Sequence, residues 1–157
     1  MFAMGHRTSL STGCLQGIWP SLHHPLHSMF TNHHLNLEQQ LEELICSQLR
    51  DPTSLKFGEL QRFPAKVGLA RALAGKQPDD HLWEILDKFN ETRNAFAHRN
   101  KPPISEKFAD LKALVTNALP SADVADETQV MMSAFKICTW FIQDIKRSLP
   151  PPLPQKS

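Results

Sequence analysis

The sequence predicts an all-α fold, a bundle of four to five helices joined by short connections. Three observations predict it. From residue 36 to residue 148, apolar residues recur at three- and four-residue spacing in one stretch after another. Pro, Gly, Asn or Asp bounds each stretch. No stretch alternates apolar and polar residues for long enough to make a strand, and no internal repeat is visible.

Residues 1–35 read as a disordered, His-rich N-terminal extension. Six of the eight histidines fall here among Gly, Ser and Pro, without sustained periodicity, and the first acidic residue of the chain is Glu38. No basic region precedes an apolar one, so a secretory signal is not expected. Arg7 is the only Arg or Lys, too few for an organellar transit peptide despite the Ser and Thr content. Met29 is an alternative start, which the intact mass of the native protein tests.

The bundle itself is expected over residues 36–148. The first helix runs from Leu37 to Leu49 behind an Asn36 cap, with Leu37, Leu41, Leu44, Ile45 and Leu49 on one side. Thr53 or Ser54 opens a short helical piece through Leu60. Pro64 fits the first turn of a helix ending at Ala74, with Gly75 as its C-cap. The central helix follows, capped by Asp79 or Asp80, with Leu82, Ile85, Leu86, Phe89, Phe96 and Ala97 at helical spacing and Trp83 as a packing anchor. Pro102 and Pro103 block its continuation. A fourth helix starts near Ser105 and stops at Pro120. The fifth runs from about Ala122 to Arg147, with Val130, Met131, Ala134, Phe135, Cys138, Phe141, Ile142 and Ile145 facing inward. Residues 149–157 form a proline-rich tail, extended as polyproline.

Lys and Arg outnumber Asp and Glu by 17 to 16, so no global field draws the chain to nucleic acid or to an anionic membrane. Any RNA contact must come from a local patch, for which Lys66, Arg71, Lys76, Arg99 and Lys101 are the candidate borders. The three cysteines, Cys14, Cys46 and Cys138, have neither metal-ligand nor redox spacing. Cys46 and Cys138 lie in apolar helical runs as small hydrophobes, which favours a reducing compartment and a cytoplasmic location. No run is apolar enough to span a bilayer, so no membrane association is expected. The clusters His23-His24-Pro25-Leu26-His27 and His33-His34 lack the Cys or acid that would complete a structural zinc pattern, so no metal and no cofactor are expected.

Arg93 poses the functional question. At about 100° per residue it falls in the middle of the central helix's apolar stripe. A guanidinium there must pair with a carboxylate, reach an anionic ligand, or lie between chains. Partners of the first kind would be Glu42, Glu59 or Asp110. His98 would then be a residue at a helix C-terminus, favoured by the dipole, and Asn94 a cap or bridge between helices.

The segment Arg93-Asn94-Ala95-Phe96-Ala97-His98 resembles the R-N-x-x-A-H signature of HEPN domains, a superfamily of small helical proteins that includes many metal-independent RNases. The likeness extends further back. The run from Phe57 through Ala65-Lys66-Val67-Gly68-Leu69-Ala70-Arg71-Ala72-Leu73 to His98 looks like the second and third helices of bacterial HEPN-like proteins.

The resemblance implies a HEPN-like bundle that cleaves an RNA substrate without a metal. His98 would be the general acid/base, Arg93 the phosphate stabiliser, and Asn94 the residue that orients the phosphate or His98. These residue types suit the chemistry: imidazole titrates near neutrality, and guanidinium is always charged and forks onto phosphate oxygens. Arg93 and His98 are five residues apart, about 140° around an ideal helix, whereas Asn94 and His98 share a face. Either the helix ends at Ala97 and frees His98, or two chains meet over one groove. Dimer-built sites are typical of the superfamily, so a homodimer with a composite groove is expected. As a toxin–antitoxin or defence component it would have an antitoxin or nucleotidyltransferase partner. The second class is a non-catalytic helical dimer that binds a protein or nucleotide. MltR-like regulators are a looser comparison of that kind, without a match to the Arg93–His98 motif.

Overall fold

The computed structural model describes residues 25–55, 62–97 and 104–151. They form five helices and, among the described residues, no strand: α1 (Pro25–Gln48), α2 (Phe63–Ala74), α3 (Trp83–Ala97), α4 (Ile104–Ala118) and α5 (Glu127–Ser148). The fold is the all-α bundle that the periodicity predicts. Helix α3 is its axis and packs against each of the other four, while α1 lies against α2, α3 and α5.

The largest departure from expectation is at the start. Helix α1 begins at Pro25, twelve residues before Leu37, so residues 25–35 belong to the bundle rather than to an extension. Residues 1–24 lie outside the described residues. Pro25 opens the helix where its missing N–H has no partner to lose. Asn36 caps nothing; it sits mid-helix and accepts from the Gln40 side chain one turn on. The apolar stripe is continuous: Leu26, Phe30, Leu37, Leu41, Leu44 and Ile45 are all buried, with His34 filling the gap between Phe30 and Leu37. The Phe30 ring meets Phe89, Phe96 and Phe108 at centroid distances of 5.3, 5.2 and 5.7 Å. That cluster ties the first turns of α1 to α3 and α4.

Pro52–Ser54 is a single 3₁₀ turn, closed by Asp51 accepting from the Thr53 amide; the expected end of that piece at Leu60 lies outside the described residues. Helix α2 carries Pro64 in its first turn and ends on Gly75, as expected. Gly75 adopts φ 67°, a left-handed conformation that disfavours a Cβ. Neither candidate caps α3 with its side chain. Asp79 makes no capping bond, and a 3₁₀ turn over Asp80–Leu82 leads into the helix. Asp80 instead takes the Arg71 guanidinium at 2.7 Å.

Trp83 is fully buried, edge-on to Phe141 at 4.9 Å, so it is a packing anchor. On α3 the interior is filled by Trp83, Ile85, Leu86 and Phe89, then by Thr92 and Ala95; Phe96 is half-buried and Ala97 is exposed. Helix α5 starts at Glu127, five residues later than Ala122. The preceding segment turns on Asp123, which accepts from the Ala125 amide, and Asp126 caps the helix through the Gln129 amide at 2.8 Å. Its inward residues are those expected, with Ile137 added and Phe135 only half-buried. Cys138 is fully enclosed, and burial pushes its thiol far above the ordinary range. Leu149 leaves α5 at φ −75° and ψ 143°, polyproline values; residues 152–157 of the tail lie outside the described residues.

Candidate functional site

The site is built where α1 crosses the C-terminal half of α3, with the start of α2 closing one end. A cleft of about 420 Å³ opens there, and its polar wall is His34 and Glu38 from α1, Arg62 before α2, and Asn90, Arg93 and Asn94 from α3. Phe63, buried at the start of α2, is part of its lining. The period of α3 places Asn90 and Asn94 one turn apart on one side, with Arg93 between them. Arg93 stays on the interior face of the helix, half-buried, and that face opens into the cleft at this turn.

Arg93 makes no ion pair with a described carboxylate. The partners expected for it are taken: Glu42 pairs with Lys66, and Asp110 lies 3.4 Å from Lys88, while Glu59 lies outside the described residues. The Arg93 guanidinium donates to Asn94 Oδ1 at 3.1 Å. Asn94 Nδ2 donates to Asn90 Oδ1 at 3.4 Å, and the same oxygen lies 3.1 Å from His34 Nε2. The polarity of this chain is fixed from one end. A guanidinium only donates, so the oxygen of Asn94 faces it and the amide nitrogen faces Asn90. Asn90 therefore presents its oxygen, and His34 must carry its proton on Nε2.

His34 is 7% exposed, with its ring 4.4 Å from that of Phe63. Burial, foremost, holds its pKa below the usual histidine value; the Asn90 bond opposes this, and the Arg93 charge adds to the lowering. His34 is thus the neutral imidazole of the site.

Lys66 is buried on α2 and pairs with both Glu38 and Glu42 of α1. Burial alone would lower its pKa, but the two carboxylates outweigh burial and leave it raised. It serves this triad rather than bordering an RNA groove. Lys66 is shared between Glu38 and Glu42, so the triad keeps one negative charge; the guanidiniums of Arg62 and Arg93, set against it, leave the cleft net positive. Arg71 is spoken for by Asp80, and Arg99 and Lys101 lie outside the described residues.

The structure thus brings Arg93 and Asn94 together at the cleft. His98 is the residue after the end of α3 and lies outside the described residues. His34, Asn90 and Arg62 are the members that sequence reasoning missed. The available signal was His34 falling four residues after Phe30 and three before Leu37, on the same stripe. Among the described residues, no three His, Cys, Asp or Glu side chains converge as metal ligands, and no helix is long and apolar enough to cross a membrane.

A second hollow, of about 400 Å³, lies elsewhere on the bundle and is apolar. Leu82, Leu119, Ile137 and Trp140 line it, with Trp140 53% exposed. Comparison of the chain with protein-family models, curated proteins and solved structures found no match.

Proposed function

We propose that this protein is a metal-independent endoribonuclease of HEPN type, acting as a cytoplasmic homodimer, in the manner of a toxin–antitoxin or defence component with an antitoxin or nucleotidyltransferase partner. The observation that carries the reading is Arg93. It is a half-buried guanidinium with no described carboxylate partner, held at the wall of a polar cleft beside Asn94. Such a group suits a phosphodiester, whose two free oxygens match its fork. Arg62, on the same cleft and exposed, adds charge for a second phosphate.

In this reading His98 removes the proton of the ribose 2′-hydroxyl. The 2′-oxygen bonds to phosphorus, the bond to the 5′-oxygen breaks, and His98 returns the proton to that leaving oxygen. Arg93 stabilises the charge that builds on the phosphoryl oxygens, and Asn94 keeps the guanidinium aimed at them. The products carry a 2′,3′-cyclic phosphate and a 5′-hydroxyl.

The test is incubation of the pure protein with RNA in excess chelator. Cleavage with cyclic-phosphate ends, abolished by His98→Ala and by Arg93→Ala at unchanged helicity, is the expected result. A wild-type protein that leaves RNA intact refutes it. The apolar hollow at Trp140 favours a second reading, a non-catalytic module that grips a protein partner through an exposed aromatic. That reading predicts no cleavage, and loss of association on Trp140→Ala but not on His98→Ala.

A further inference from the structure

We propose that His34 is a positioning residue for Arg93, acting through Asn90 and Asn94 to hold the guanidinium at the cleft wall with no charge spent on holding it. The proposal rests on the reading of Arg93 as the phosphate-binding group, and deepens it by naming what aims that group.

Three observations carry it. The contacts are continuous: His34 Nε2 to Asn90 Oδ1 at 3.1 Å, Asn94 Nδ2 to the same oxygen at 3.4 Å, and Arg93 to Asn94 Oδ1 at 3.1 Å. One end of the chain is anchored, because His34 is buried and its ring lies against Phe63. The other end reaches the cleft, where Arg93 is half-buried and has no described carboxylate to orient it.

A long, rotamer-rich side chain in that position would otherwise wander. A carboxylate would orient it more firmly and would also cancel its charge. A train of neutral amides ending on a neutral imidazole orients it and leaves the whole positive charge to the ligand. The order of donors also explains why the anchor is a histidine. The train needs one N–H at its inner end, delivered from a flat ring that fits against Phe63.

Two substitutions separate the hydrogen bond from the packing. His34→Phe keeps a ring against Phe63 and deletes the donor. His34→Gln places an N–H near the position of Nε2 and gives up the ring. Two readouts are needed, one of them independent of catalysis. The first is the guanidinium Nη–Hη resonances of Arg93, the group that donates to Asn94, in the uniformly nitrogen-15-labelled full chain, assigned by their loss in Arg93→Lys. The second is binding of a 2′-deoxy oligonucleotide, which cannot be cleaved by 2′-oxygen attack.

In His34→Phe the exchange of the Arg93 Hη hydrogens with water is expected to quicken about tenfold and the oligonucleotide to bind about fivefold more weakly. His34→Gln is expected to restore both to within about twofold of wild type. Where His34→Phe lowers the helicity, Asn90→Ala cuts the same train at its midpoint and is expected to give the same two changes. An unchanged Arg93 resonance in a folded His34→Phe or Asn90→Ala variant overturns the proposal. Equal loss in His34→Phe and His34→Gln also overturns it, since packing would then be the whole effect. If the wild type neither binds nor cleaves the nucleic acid while the resonance still responds to His34→Phe, the ribonuclease reading falls and the positioning role stands.

Discussion

Replacing Phe30 by Ala tests whether the first turns of α1 belong to the bundle. Phe30 is 1% exposed and touches three other rings, one on α4 and two on α3. Truncating a buried Phe to Ala costs about 3–5 kcal/mol through lost transfer energy and the cavity left behind. Each aromatic pair adds about 0.5–1.5 kcal/mol beyond area, and these overlap with the truncation figure, so the upper part of that range, about 4–5 kcal/mol, is expected. A domain of this size has a total stability of about 5–15 kcal/mol, so the loss is a large share of it. With a urea slope of about 2 kcal/mol per molar, the unfolding midpoint moves down by about 2 M. The assay is helical circular dichroism against urea, with Leu35→Ala as control. Leu35 is the next large apolar residue along α1 outside the stripe, 56% exposed, and its loss is expected to move stability by no more than about 0.5 kcal/mol. A Phe30→Ala variant that loses less than about 1 kcal/mol would show that residues 25–35 do not pack as described, and the cleft would lose its α1 wall.

Other consequences follow from single groups. His33 and His34 are both held below the ordinary histidine pKa, chiefly by burial; for His34, Lys66 on α2 and Arg93 on α3 reinforce this, while Glu38 opposes it. As pH falls below about 6.5 the unfolded chain takes up protons that the folded one refuses, so stability is full above that pH and declines below it. The slope is at most about 1.4 kcal/mol per pH unit for each histidine; calorimetry from pH 8 to 5 is expected to show a falling midpoint, shallower in His34→Gln, and a midpoint that rises toward pH 5 contradicts this. Lys66→Met would leave Glu38 and Glu42 facing each other over an apolar stem and cost about 2 kcal/mol, less than the about 3–5 kcal/mol for a fully buried pair because Glu42 is 37% exposed. Adding Glu38→Gln and Glu42→Gln should recover most of that loss in urea melts; a triple variant as unstable as the single one argues against the triad. The two glycines of the α2 region should respond with opposite signs. Gly68 is inside the helix with open space around an added Cβ, so Gly68→Ala is expected to stabilise by about 0.5–1 kcal/mol. Gly75 has the same open space but φ 67°, so Gly75→Ala should destabilise by about 1 kcal/mol through the backbone alone. Equal thermal shifts in the two variants would contradict that reasoning.

Helices α2, α3 and α4 were legible within a few residues because their apolar spacing is clean and a proline or glycine marks an end of each. The first half of α1 was not. Its stripe runs Leu26, Phe30, His34, Leu37, and a histidine among other histidines carries no hydrophobic signal. Only the tertiary fit of that imidazole against Phe63 and Asn90 makes it an interior residue. The start of α5 was misplaced because Ala122, just past the Pro120 stop, looks like the first position of a helix. The Asp123 turn and the Asp126 cap fix the true start through hydrogen bonds that composition does not reveal. At the site, Arg93 was legible because a charge inside an apolar stripe demands an explanation. Asn94 came with it through the motif. Asn90 was invisible, since a lone Asn in a helix reads equally well as a solvated residue, and its role depends on a partner 56 positions earlier in the chain.

The docking of α1 against α5 has a consequence during translation. The ribosome releases α1 first and the helix that shelters much of its apolar stripe last. At about 5–20 residues per second, the interval between Gln48 and Glu127 lasts roughly 4–16 s. For that time Leu37, Leu41, Leu44 and Ile45 lack their α5 neighbours, although α2 and α3 emerge to cover part of the face. The nascent chain therefore exposes part of this apolar stripe until α5 emerges to cover it. Neither the cleft nor any activity it supports need wait as long, because His34, Asn90 and Arg93 are all synthesised before the first residue of α4.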